Sequence, residues 1–532
     1  MSKRFTAFAA IVFALTAPSL SAQSSNAGAD PSSPQVDVLA SAVDAISRMH
    51  MDSFSDSILW EAAIDGMIDA LDDPYAELFT PQEAEAWEED TTGNYSGIGL
   101  QITLLNDEIT VTAVFRGFPA NEQGISVGDV IVGVNQYDAS DWGTGMAADS
   151  IRGPVGTNVE VRIKRAGYDQ PVTYDITREE VHVPAVTYGV LSSDIGYVIM
   201  DRVARNAAQE MNIALQELDK TQGLIIDLRR NPGGFLDESL MLADLFLKPG
   251  STLASTVQRV PGGSAETPET DSYGDRWPVQ VPELPIVILV DQFTASGAEI
   301  LAGALQDYDR AVVLGQRTFG KGVVQTVMNL PFGRRLRFTT GSWLTPLGRS
   351  LQRARDRQMM PLPEAVDTLP RVETAEGRSL INGGGIFPDL EIQDDTLKVI
   401  EREFIRLSNE QQFPLGLKIA EFGFNVAAAR REAGTVPSVT EEEFDAFVED
   451  LTSAGLETEL VNDADVREYL FWRTELAVAQ RMNDIAAEAD FRTQRDPVLS
   501  EAIRLLQVTS SQTELFQAVD SQANATQGPT GG

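Results

Sequence analysis

The fold of this chain is decided by Pro285-Ile-Val-Ile-Leu-Val-Asp-Gln-Phe-Thr-Ala-Ser-Gly-Ala-Glu-Ile300. The first six residues are apolar and largely β-branched, which is typical of a strand that is buried on both faces of a sheet. Small residues then lead into a helix-forming segment that continues to Gln306, so the sequence predicts a strand-to-helix turn around Ser296. A serine at such a turn is exposed, and the N–H groups and the positive dipole end of the helix lie beside it.

A second apolar run, Ala311-Val-Val-Leu314, leads into the glycine-rich stretch Gly315-Gln-Arg-Thr-Phe-Gly-Lys-Gly322. Glycines flank Lys321, and they let backbone and ammonium approach a neighbouring segment closely. Lys321 follows Ser296 by 25 residues. Because both apolar runs read as strands, we expect the serine and the lysine to meet at the tips of neighbouring strands of an α/β fold.

Histidine is the usual base that activates a serine, with a reference pKa of about 6.5. The chain has two histidines, His50 and His182, and both are interpreted as structural because each is remote in sequence from the serine. A Ser-Lys dyad is the arrangement that remains. Burial in an apolar pocket, walled by Phe293 and Phe319, is expected to lower the lysine pKa by roughly three units from about 10.4. The alternative is a serine that caps a helix and a solvated loop lysine.

Three segments carry a resemblance to a known protease family. They are Thr294-Ala-Ser296, Asp307-Tyr-Asp-Arg310 and Thr318-Phe-Gly-Lys-Gly-Val-Val-Gln325, and they resemble in order and spacing the motifs of the carboxyl-terminal processing, or tail-specific, serine proteases. The resemblance implies an endopeptidase with Ser296 as nucleophile, Lys321 as base and Gln325 as the residue that orients the lysine amine. It also implies a crotonase-like topology for the core. Thr294 and Gly297 stand where the family often has Ser and Ala, small changes that keep the backbone donors.

A glycine-rich turn supplies the rest of the expected active site. The segment Gly223-Leu-Ile-Ile-Asp-Leu-Arg-Arg-Asn-Pro-Gly-Gly234 reads as a buried strand that ends in a turn, and it resembles the same family's Asp-Leu-Arg-x-Asn-Pro-Gly-Gly motif. Backbone N–H groups at such a turn can form an oxyanion hole. We expect Gly297 to be one donor and Gly233 or Gly234 to be the other. Glu299 is interpreted as a structural residue whose charge complements the helix dipole.

Upstream, another glycine-rich segment predicts a peptide-binding module. Gly93-Asn-Tyr-Ser-Gly-Ile-Gly-Leu-Gln-Ile-Thr103 resembles the carboxylate-binding loop and first pairing strand of a PDZ domain, and the stretches 118–135 and 151–165 are also PDZ-like. Glycine-flanked amides form a nest for a terminal carboxylate, and an open strand edge binds a peptide by β-augmentation. The segment 146–151 is expected to line an apolar pocket. The residues expected to bind a substrate's C-terminus are Gly97, Ile98, Gly99, Leu100 and Ile102.

Composition excludes several other classes of function. The 532 residues carry a net charge of −38 and no cysteine. A chain this acidic lacks the basic patch that nucleic acid or anionic lipid requires. The lack of cysteine removes disulfides, a lipoprotein anchor, thiol catalysis and cysteine-based metal sites, and two distant histidines do not make a zinc centre. We therefore expect no cofactor and no metal.

The N-terminus resembles a secretory signal peptide. Basic residues in Met1-Ser-Lys-Arg4 precede an apolar stretch at 5–17 and small residues up to Ala22. The apolar stretch is too short to span a bilayer, which takes about 20 residues. Cleavage is placed after Ala22, with Ser21 and the 27–29 region left open. The mature protein is expected to be exported to the bacterial periplasm or cell envelope.

The predicted organisation is multidomain. It comprises a signal peptide at 1–22, a linker at 23–35, a helical region at 36–93, a PDZ domain at 94–167, a Ser-Lys protease core at 168–393, a helical region at 394–517 and a disordered tail at 518–532. Residues 354–382 interrupt the family pattern as an insertion, either a rim loop that narrows access or an interaction arm. In the C-terminal region a capping-box signature begins at Thr440, and apolar residues at 444, 447, 448 and 451 are predicted to pack as one helix face.

Together these features predict an exported endopeptidase that binds protein or peptide substrates by a free, apolar C-terminus and cleaves them through the dyad. The C-terminal helices could form a homodimer or hold an adaptor or a substrate. Two rival functions remain: a non-catalytic PDZ adaptor on a degenerate protease core, and an acyl-transfer or crotonase-like enzyme. The occupied dyad positions speak against the first, and the PDZ module and the nucleophile turn speak against the second.

Overall fold

The computed structural model describes residues 34–165, 167–259, 269–274, 280, 284–394, 396–456 and 459–526. The chain divides after Asp73 into two compact units. The signal peptide predicted at 1–22, most of the linker predicted at 23–35 and the end of the predicted tail lie outside the described residues. No described helix is both long enough and apolar enough to cross a bilayer.

The first unit contains two helices, α1 (Pro34–Met49) and α2 (Asp56–Ala70). The Ser55 hydroxyl accepts a hydrogen bond from Ile58 N and so caps α2. Within the described part of this unit, Val43 is the only buried residue. Helices therefore occupy the first part of the region predicted as helical over 36–93.

The second unit begins with a short strand inside the region predicted as helical. A strand, β1 (Glu77–Phe79), precedes helix α3 (Pro81–Thr92). Helix α3 begins with a capping box, in which Thr80 accepts a hydrogen bond from Glu83 N and Glu83 accepts one from Thr80 N. The region predicted as helical over 36–93 thus contains three helices and one short strand. Strand β1 pairs with residues 335–337, a pairing that no local pattern shows.

The next segment is a lobe built on an antiparallel sheet. Its elements are β2 (Asn94–Gly97), β3 (Leu100–Leu105), β4 (Glu108–Val114), α4 (Pro119–Glu122), β5 (Val130–Val134), β6 (Tyr137–Asp138), α5 (Thr144–Ile151), β7 (Asn158–Lys164), β8 (Val172–Thr177) and β9 (Glu179–His182). Strands β3-β4-β5-β7-β8 pair in that order, which leaves β3 at an edge. Strand β2 pairs antiparallel with β9, so the strands that enter and leave the lobe form one ribbon.

A six-stranded sheet, here called the core sheet, forms the centre of the second unit. The elements after the ribbon are β10 (Val186–Val190), β11 (Gly196–Met200), α6 (Ala207–Glu217), β12 (Leu224–Asp227), α7 (Leu236–Asp244), β13 (Thr252–Gln258), β14 (Glu269–Gly274), β15 (Ile286–Val290), α8 (Gly297–Asp307), β16 (Val312–Gly315), β17 (Val323–Asn329), β18 (Arg335–Leu344), β19 (Arg371–Glu373), β20 (Ser379–Ile381) and β21 (Leu390–Glu391). The core sheet has the order β10-β11-β12-β15-β16-β21, and all its pairs are parallel except β10 with β11. A second, antiparallel sheet contains β1, β18, β13 and β14, with β17 paired to β18.

Strand β15 shows that the core sheet is buried on both faces. None of its five residues is more than 1% exposed. Ile286, Ile288 and Val290 pack in one apolar cluster with helices α6, α7 and α8, whereas Val287 and Leu289 pack in a cluster on the opposite face. Helices on both faces are the usual cover of a parallel sheet. The predicted α/β core is confirmed.

The rest of the chain is helical. Its helices are α9 (Val399–Glu410), α10 (Leu415–Ala433), α11 (Glu441–Ser453), α12 (Ala464–Met482), α13 (Ile485–Thr493), α14 (Pro497–Val508) and α15 (Gln512–Thr526). Helices α9 to α12 share an apolar cluster, to which Phe444, Phe447, Val448 and Leu451 contribute as predicted. Residues of α13, α14 and α15 instead cover the second face of the core sheet. The prediction of disorder from residue 518 was wrong up to Thr526, because α15 is anchored by buried Leu515 and Val519.

A buried ionic network joins α14 to the core sheet. Asp496 caps α14 by accepting a hydrogen bond from Leu499 N, and it also forms an ion pair with Arg229 at 2.8 Å. Arg229 pairs in turn with Asp227 at the end of β12, which accepts a further hydrogen bond from the Tyr197 hydroxyl at 2.8 Å. Although burial opposes it, the Arg229 guanidinium holds the pKa of Asp227 below its ordinary value.

Candidate active site

Ser296 lies on the turn between β15 and α8, as predicted. Its backbone has φ 51° and ψ −115°, a conformation that a non-glycine residue rarely adopts. Two neighbours hold this turn. The buried Thr294 hydroxyl donates to Leu228 O at 2.8 Å, and Ala295 N donates to Asn231 O at 2.9 Å. The turn is thus tied to the end of β12 on the neighbouring strand of the core sheet.

Lys321 lies in the loop 316–322 between β16 and β17, here called the lysine loop. One carboxylate connects this loop to the nucleophile turn. Glu299 Oε2 accepts hydrogen bonds from Ser296 N and from Lys321 N, each at 2.8 Å. Its Oε1 accepts from Gly320 N at 2.8 Å and from the Thr318 hydroxyl at 2.5 Å. Glu299 therefore fixes the backbones of the two predicted catalytic residues relative to each other.

Glu299 is 0% exposed, and burial raises its pKa above the ordinary value although its four donors oppose this change. The sequence indicated only its place in the first turn of α8. Its bonds to the lysine loop were missed, because Glu299 and the loop residues are about 20 positions apart. Glu299 follows β15, whereas the lysine loop follows β16.

The side chains of Lys321 and Gln325 meet the same aromatic residue. Lys321 Nζ lies over the ring of Tyr75, 5.2 Å from its centroid, and Gln325 Nε2 donates to Tyr75 O at 2.9 Å. Tyr75 is 7% exposed. The donation fixes the orientation of the Gln325 amide and leaves Oε1 as its acceptor. Sequence reasoning missed Tyr75, which comes from a segment more than 200 residues upstream of the lysine.

The prediction that Phe293 and Phe319 form the walls of the lysine pocket was wrong. Phe293 is 50% exposed and lies against the Arg230 guanidinium, while Phe319 stacks under Arg355. Neither phenylalanine is among the described residues that line the cavity around the dyad. The aromatic surface beside Lys321 is that of Tyr75 instead.

The glycine turn after β12 packs directly on the nucleophile turn. Gly233 has φ 91°, and a Cβ built on it would lie 2.6 Å from both Gly297 N and Ala295 O, so only glycine fits. Gly233 N donates to Asn231 Oδ1 at 2.9 Å. Among the described residues, none accepts a hydrogen bond from Gly234 N. The sequence left Gly233 and Gly234 as alternatives, and this geometry favours Gly234 as the free donor beside Gly297.

The neighbours of Gly297 explain why this position holds glycine where the family often has alanine. A Cβ on this residue would lie 2.4 Å from the Ser239 hydroxyl oxygen and 3.2 Å from Gly234 N. The Ser239 hydroxyl donates to Phe235 O at 2.8 Å. The departure from alanine at this position is therefore matched by a hydroxyl that fills the space an alanine methyl would need.

One cavity of about 1220 Å³ joins the dyad to the glycine-rich loop of the lobe. Its lining includes the predicted catalytic and oxyanion residues Ser296, Lys321, Gln325, Gly233, Gly234 and Gly297, together with Gly97, Ile98, Leu100 and Ile102. Gly99 is not among the described lining residues. Ala148 and Ile151 of α5 face the same cavity, whereas Met146 is exposed.

Two features of the loop at 97–100 suit a peptide terminus. In the part of the chain that the structure describes, the N–H groups of Ile98 and Gly99 donate to no protein acceptor. Strand β3 has an edge without a strand partner in its sheet. Arg152, at the end of α5, adds a cation to the cavity wall, paired with Glu89 at 2.8 Å.

Each of the two histidines has partners within its own unit. His182 belongs to β9, where Nδ1 contacts Asn94 Oδ1 at 2.6 Å and Nε2 contacts Glu210 Oε1 at 2.5 Å. His50 is exposed and contacts Asp52. Their interpretation as structural residues is consistent with these contacts. Over the described ranges, the structure shows no group of three or more acidic or histidine side chains arranged to hold a metal ion.

Comparisons with known proteins agree with the two modules. The model of peptidase family S41 matches residues 194–357, and that of the PDZ domain matches residues 88–164. A protein of Bartonella bacilliformis named carboxy-terminal-processing protease is 34% identical over 304 residues, which are 56% of this chain and 68% of that protein. A probable CtpA-like serine protease of Staphylococcus epidermidis is 34% identical over 293 residues.

The similarity is incomplete in length. The chain matches 58% of the length of the staphylococcal relative, using 54% of its own residues. A solved structure named photosystem II D1 C-terminal processing protease is 25% identical, with 69% of this chain and 95% of that chain covered, at a TM-score of 0.36.

Proposed function

The chain belongs to the family of carboxy-terminal-processing proteases, and on that premise we propose that it is an endopeptidase with a Ser296–Lys321 dyad, whose PDZ domain selects substrates by their C-termini. The observation that carries this proposal is Glu299, which binds the backbone of the serine and that of the lysine through one carboxylate. Such a link is expected where two loops must hold a reacting pair in register.

In the proposed reaction, Ser296 Oγ attacks the carbonyl carbon of the scissile peptide bond and passes its proton to neutral Lys321 Nζ. The oxyanion that forms accepts hydrogen bonds from the N–H groups of Gly297 and Gly234. The lysine then protonates the leaving amine as the C–N bond breaks, which leaves an ester on Ser296. Water hydrolyses this ester with Lys321 again acting as the base. Gln325 keeps the lysine amine in position.

Substrate selection is proposed to use the groove between β3 and α5. A terminal carboxylate would bind the N–H groups of Ile98 and Gly99, and the peptide backbone would pair with the open edge of β3. Because this groove and the dyad share one cavity, a substrate can occupy both at once. The signal-like N-terminus supports export to the bacterial periplasm or envelope, which N-terminal sequencing of the mature protein from a periplasmic fraction would test.

The decisive experiment compares the wild-type protein with Ser296→Ala on an unfolded protein that has an apolar C-terminus. We expect the variant to lose activity by at least about 1,000-fold while it keeps its thermal unfolding midpoint. Equal cleavage by the two proteins would remove Ser296 as nucleophile. No cleavage by either, with retained binding of C-terminal peptides, would favour the non-catalytic adaptor.

A further inference from the structure

The insertion at 354–382 packs against the lysine loop. Its first part is a tight hairpin, in which Leu362 N donates to Ala354 O at 2.9 Å and Asp356 N donates to Met360 O at 3.0 Å. Arg355 leaves this hairpin toward the lysine loop. No residue of 354–382 is among the described residues that line the cavity, so the hairpin braces the site from outside.

Arg355 makes the most extensive of these contacts. Its guanidinium lies 3.4 Å from the centroid of the Phe319 ring, and its Nη2 donates to Phe319 O at 2.6 Å. Its Nη1 donates to Met359 O at 2.6 Å, which ties the hairpin to itself. A cation stacked on an aromatic ring and bonded to the carbonyl of the same residue fixes both the side chain and the backbone.

Other residues of the lysine loop are bound by the segment just before the insertion and by the insertion itself. Arg353 N donates to Gly320 O at 2.9 Å, and Gln352 Oε1 accepts from Gly322 N at 2.8 Å. The loop residue Arg317 forms an ion pair with Glu364 of the insertion. Every residue from Phe319 to Gly322 except Lys321 therefore has a direct contact with 352–355, and Lys321 N is held by Glu299.

The insertion also sets the local charge. Arg355 of the insertion and Arg353 just before it interact with Arg317, and Glu364 of the insertion is an acid that pairs with this cluster. From the other elements, Tyr75 and Glu299 face Arg355. These two residues also contact Lys321, through the Tyr75 ring at its Nζ and through Glu299 at its backbone N. Arg355 and Lys321 are therefore like charges that share the same neighbours.

We propose that Arg355 is a positioning residue for the dyad: it holds the lysine loop, and its charge favours the neutral form of Lys321. The proposal rests on the proposed function, because it assigns Lys321 as a base. A lysine that must accept a proton near neutral pH needs its ammonium form destabilised. The Arg355 guanidinium is fixed on Phe319, two residues before Lys321, and it would act by like-charge repulsion. It cannot itself lose its proton.

The test measures the apparent pKa of Lys321 in a protein that needs no activity. In a Ser296→Ala background, the rate of acetylation of Lys321 by acetic anhydride is followed against pH by mass spectrometry. Arg355→Gln is expected to raise this apparent pKa by about half to one unit, because it removes the charge. Arg355→Lys keeps the charge, so the apparent pKa of Lys321 is expected to stay unchanged in this variant. An unchanged value in Arg355→Gln would overturn the proposal.

Two further variants test the direction of the pKa shift and provide a control. Glu364→Gln removes the acid that faces the arginines, so it is expected to shift the apparent pKa of Lys321 in the opposite direction, downward. This arm stays informative if Arg355→Gln does not fold, and an upward shift would contradict the proposal. Arg357→Gln removes an equal charge from the exposed part of the same hairpin and serves as the matched control, with no shift expected.

The active enzyme provides an independent readout. The acidic limb of the pH profile of kcat/KM should move upward in Arg355→Gln by the same half to one unit, which lowers kcat/KM about 3- to 10-fold at pH 7. If the wild-type protein cleaves nothing but the labelling shift is present, the proposed function falls and the electrostatic role of Arg355 stands. If activity is normal and neither the labelling nor the limb moves, the role of Arg355 falls alone.

Discussion

The proposed dyad of Lys321 and Ser296 is held by residues that take no part in the proposed chemistry. Glu299 fixes the backbone of both, Tyr75 supports the lysine amine and the Gln325 amide, and Gly233 lets the oxyanion turn approach the serine. The bonds of Glu299 and of Gln325 join side chain to backbone, whereas Tyr75 meets the lysine amine with its ring. At this scale, then, position depends on a small number of bonds that single substitutions can remove.

Lys321→Arg is expected to be as inactive as Lys321→Ala, although it keeps the positive charge. A guanidinium does not lose its proton near neutral pH, so it cannot take the proton of Ser296. Steady-state kinetics on an unfolded protein substrate would show both variants at least about 1,000-fold below the wild type. Substantial cleavage by the arginine variant would rule out the dyad.

Gln325→Ala is expected to lower kcat by about 10- to 1,000-fold, since an orienting group contributes less than the nucleophile itself. The variant loses the hydrogen bond to Tyr75 O, and Tyr75 is the residue whose ring lies against Lys321 Nζ. The thermal unfolding midpoint should stay within a few degrees of the wild type. A kcat equal to that of the wild type would remove Gln325 from the site.

Glu299→Gln keeps the size of the side chain but replaces one acceptor oxygen by a donor. Two of the four donors around it would then lose their acceptor, and we expect the free energy of unfolding to fall by about 1–3 kcal/mol. Because the backbone of Ser296 or the lysine loop is released, kcat should also fall at least about 10-fold. Urea unfolding and kinetics would measure both effects. The exposed Glu442→Gln is the control, and a variant as stable and active as that control would contradict the role of Glu299.

At the scale of elements, strand β3 and helix α5 form the walls of the proposed peptide groove. Leu100 and Ile102 of β3 and Ile151 of α5 present apolar side chains to the cavity. Burying one apolar terminal side chain there is worth roughly 1.5–3 kcal/mol. The proposed preference for an apolar C-terminus would thus be a property of this strand and helix pair.

We expect a substrate that ends in Asp to have a KM about 10-fold higher or more than one that ends in an apolar residue, since 1.4 kcal/mol is tenfold in binding. Amidation of the C-terminus should weaken recognition more than any change at the N-terminus, because the free N–H groups at 98 and 99 meet a carboxylate. Competition between free-acid and amidated peptides would measure this. Equal inhibition by the two would show that the module binds another feature.

Short elements that alternate with turns were predictable where the signal lies within one contiguous stretch. Residues 285–300 and 311–322 show a strand, a turn and a helix start in order, and the structure has β15, α8, β16 and the lysine loop there. Tyr75, the second role of Glu299 and the packing of the insertion were not predictable. Each depends on contacts between segments that are far apart in sequence, and no local period records which segments will meet.

At the scale of the whole molecule, the C-terminal helices are part of the core that carries the proposed dyad. Residues of α14 and α15 cover the face of the core sheet formed by Ile225, Val287 and Leu289, and Asp496 neutralises Arg229 at the end of β12. That strand leads into the oxyanion turn. The position of the candidate active site therefore depends on helices that come about 200 residues after Ser296.

A chain that ends at Gln393 is expected not to fold. It would expose at least five core-sheet side chains, Ile225, Val287, Leu289, Val312 and Leu314, each worth roughly 1.5–3 kcal/mol when buried, against a typical total stability of about 5–15 kcal/mol. Circular dichroism should show no cooperative thermal transition. A chain that ends at Thr526 is the matched control and should unfold cooperatively. A folded, soluble chain ending at Gln393 would contradict this account.

The β2–β9 ribbon has a consequence for engineering. Its two strands are neighbours in a ladder, so the points at which the chain enters and leaves the lobe are about 5 Å apart. Any compact binding module whose termini lie equally close can be grafted at this ribbon without a change in the path of the surrounding chain. The proposed substrate selection could therefore be exchanged with the lobe, while the proposed hydrolytic residues stay as they are.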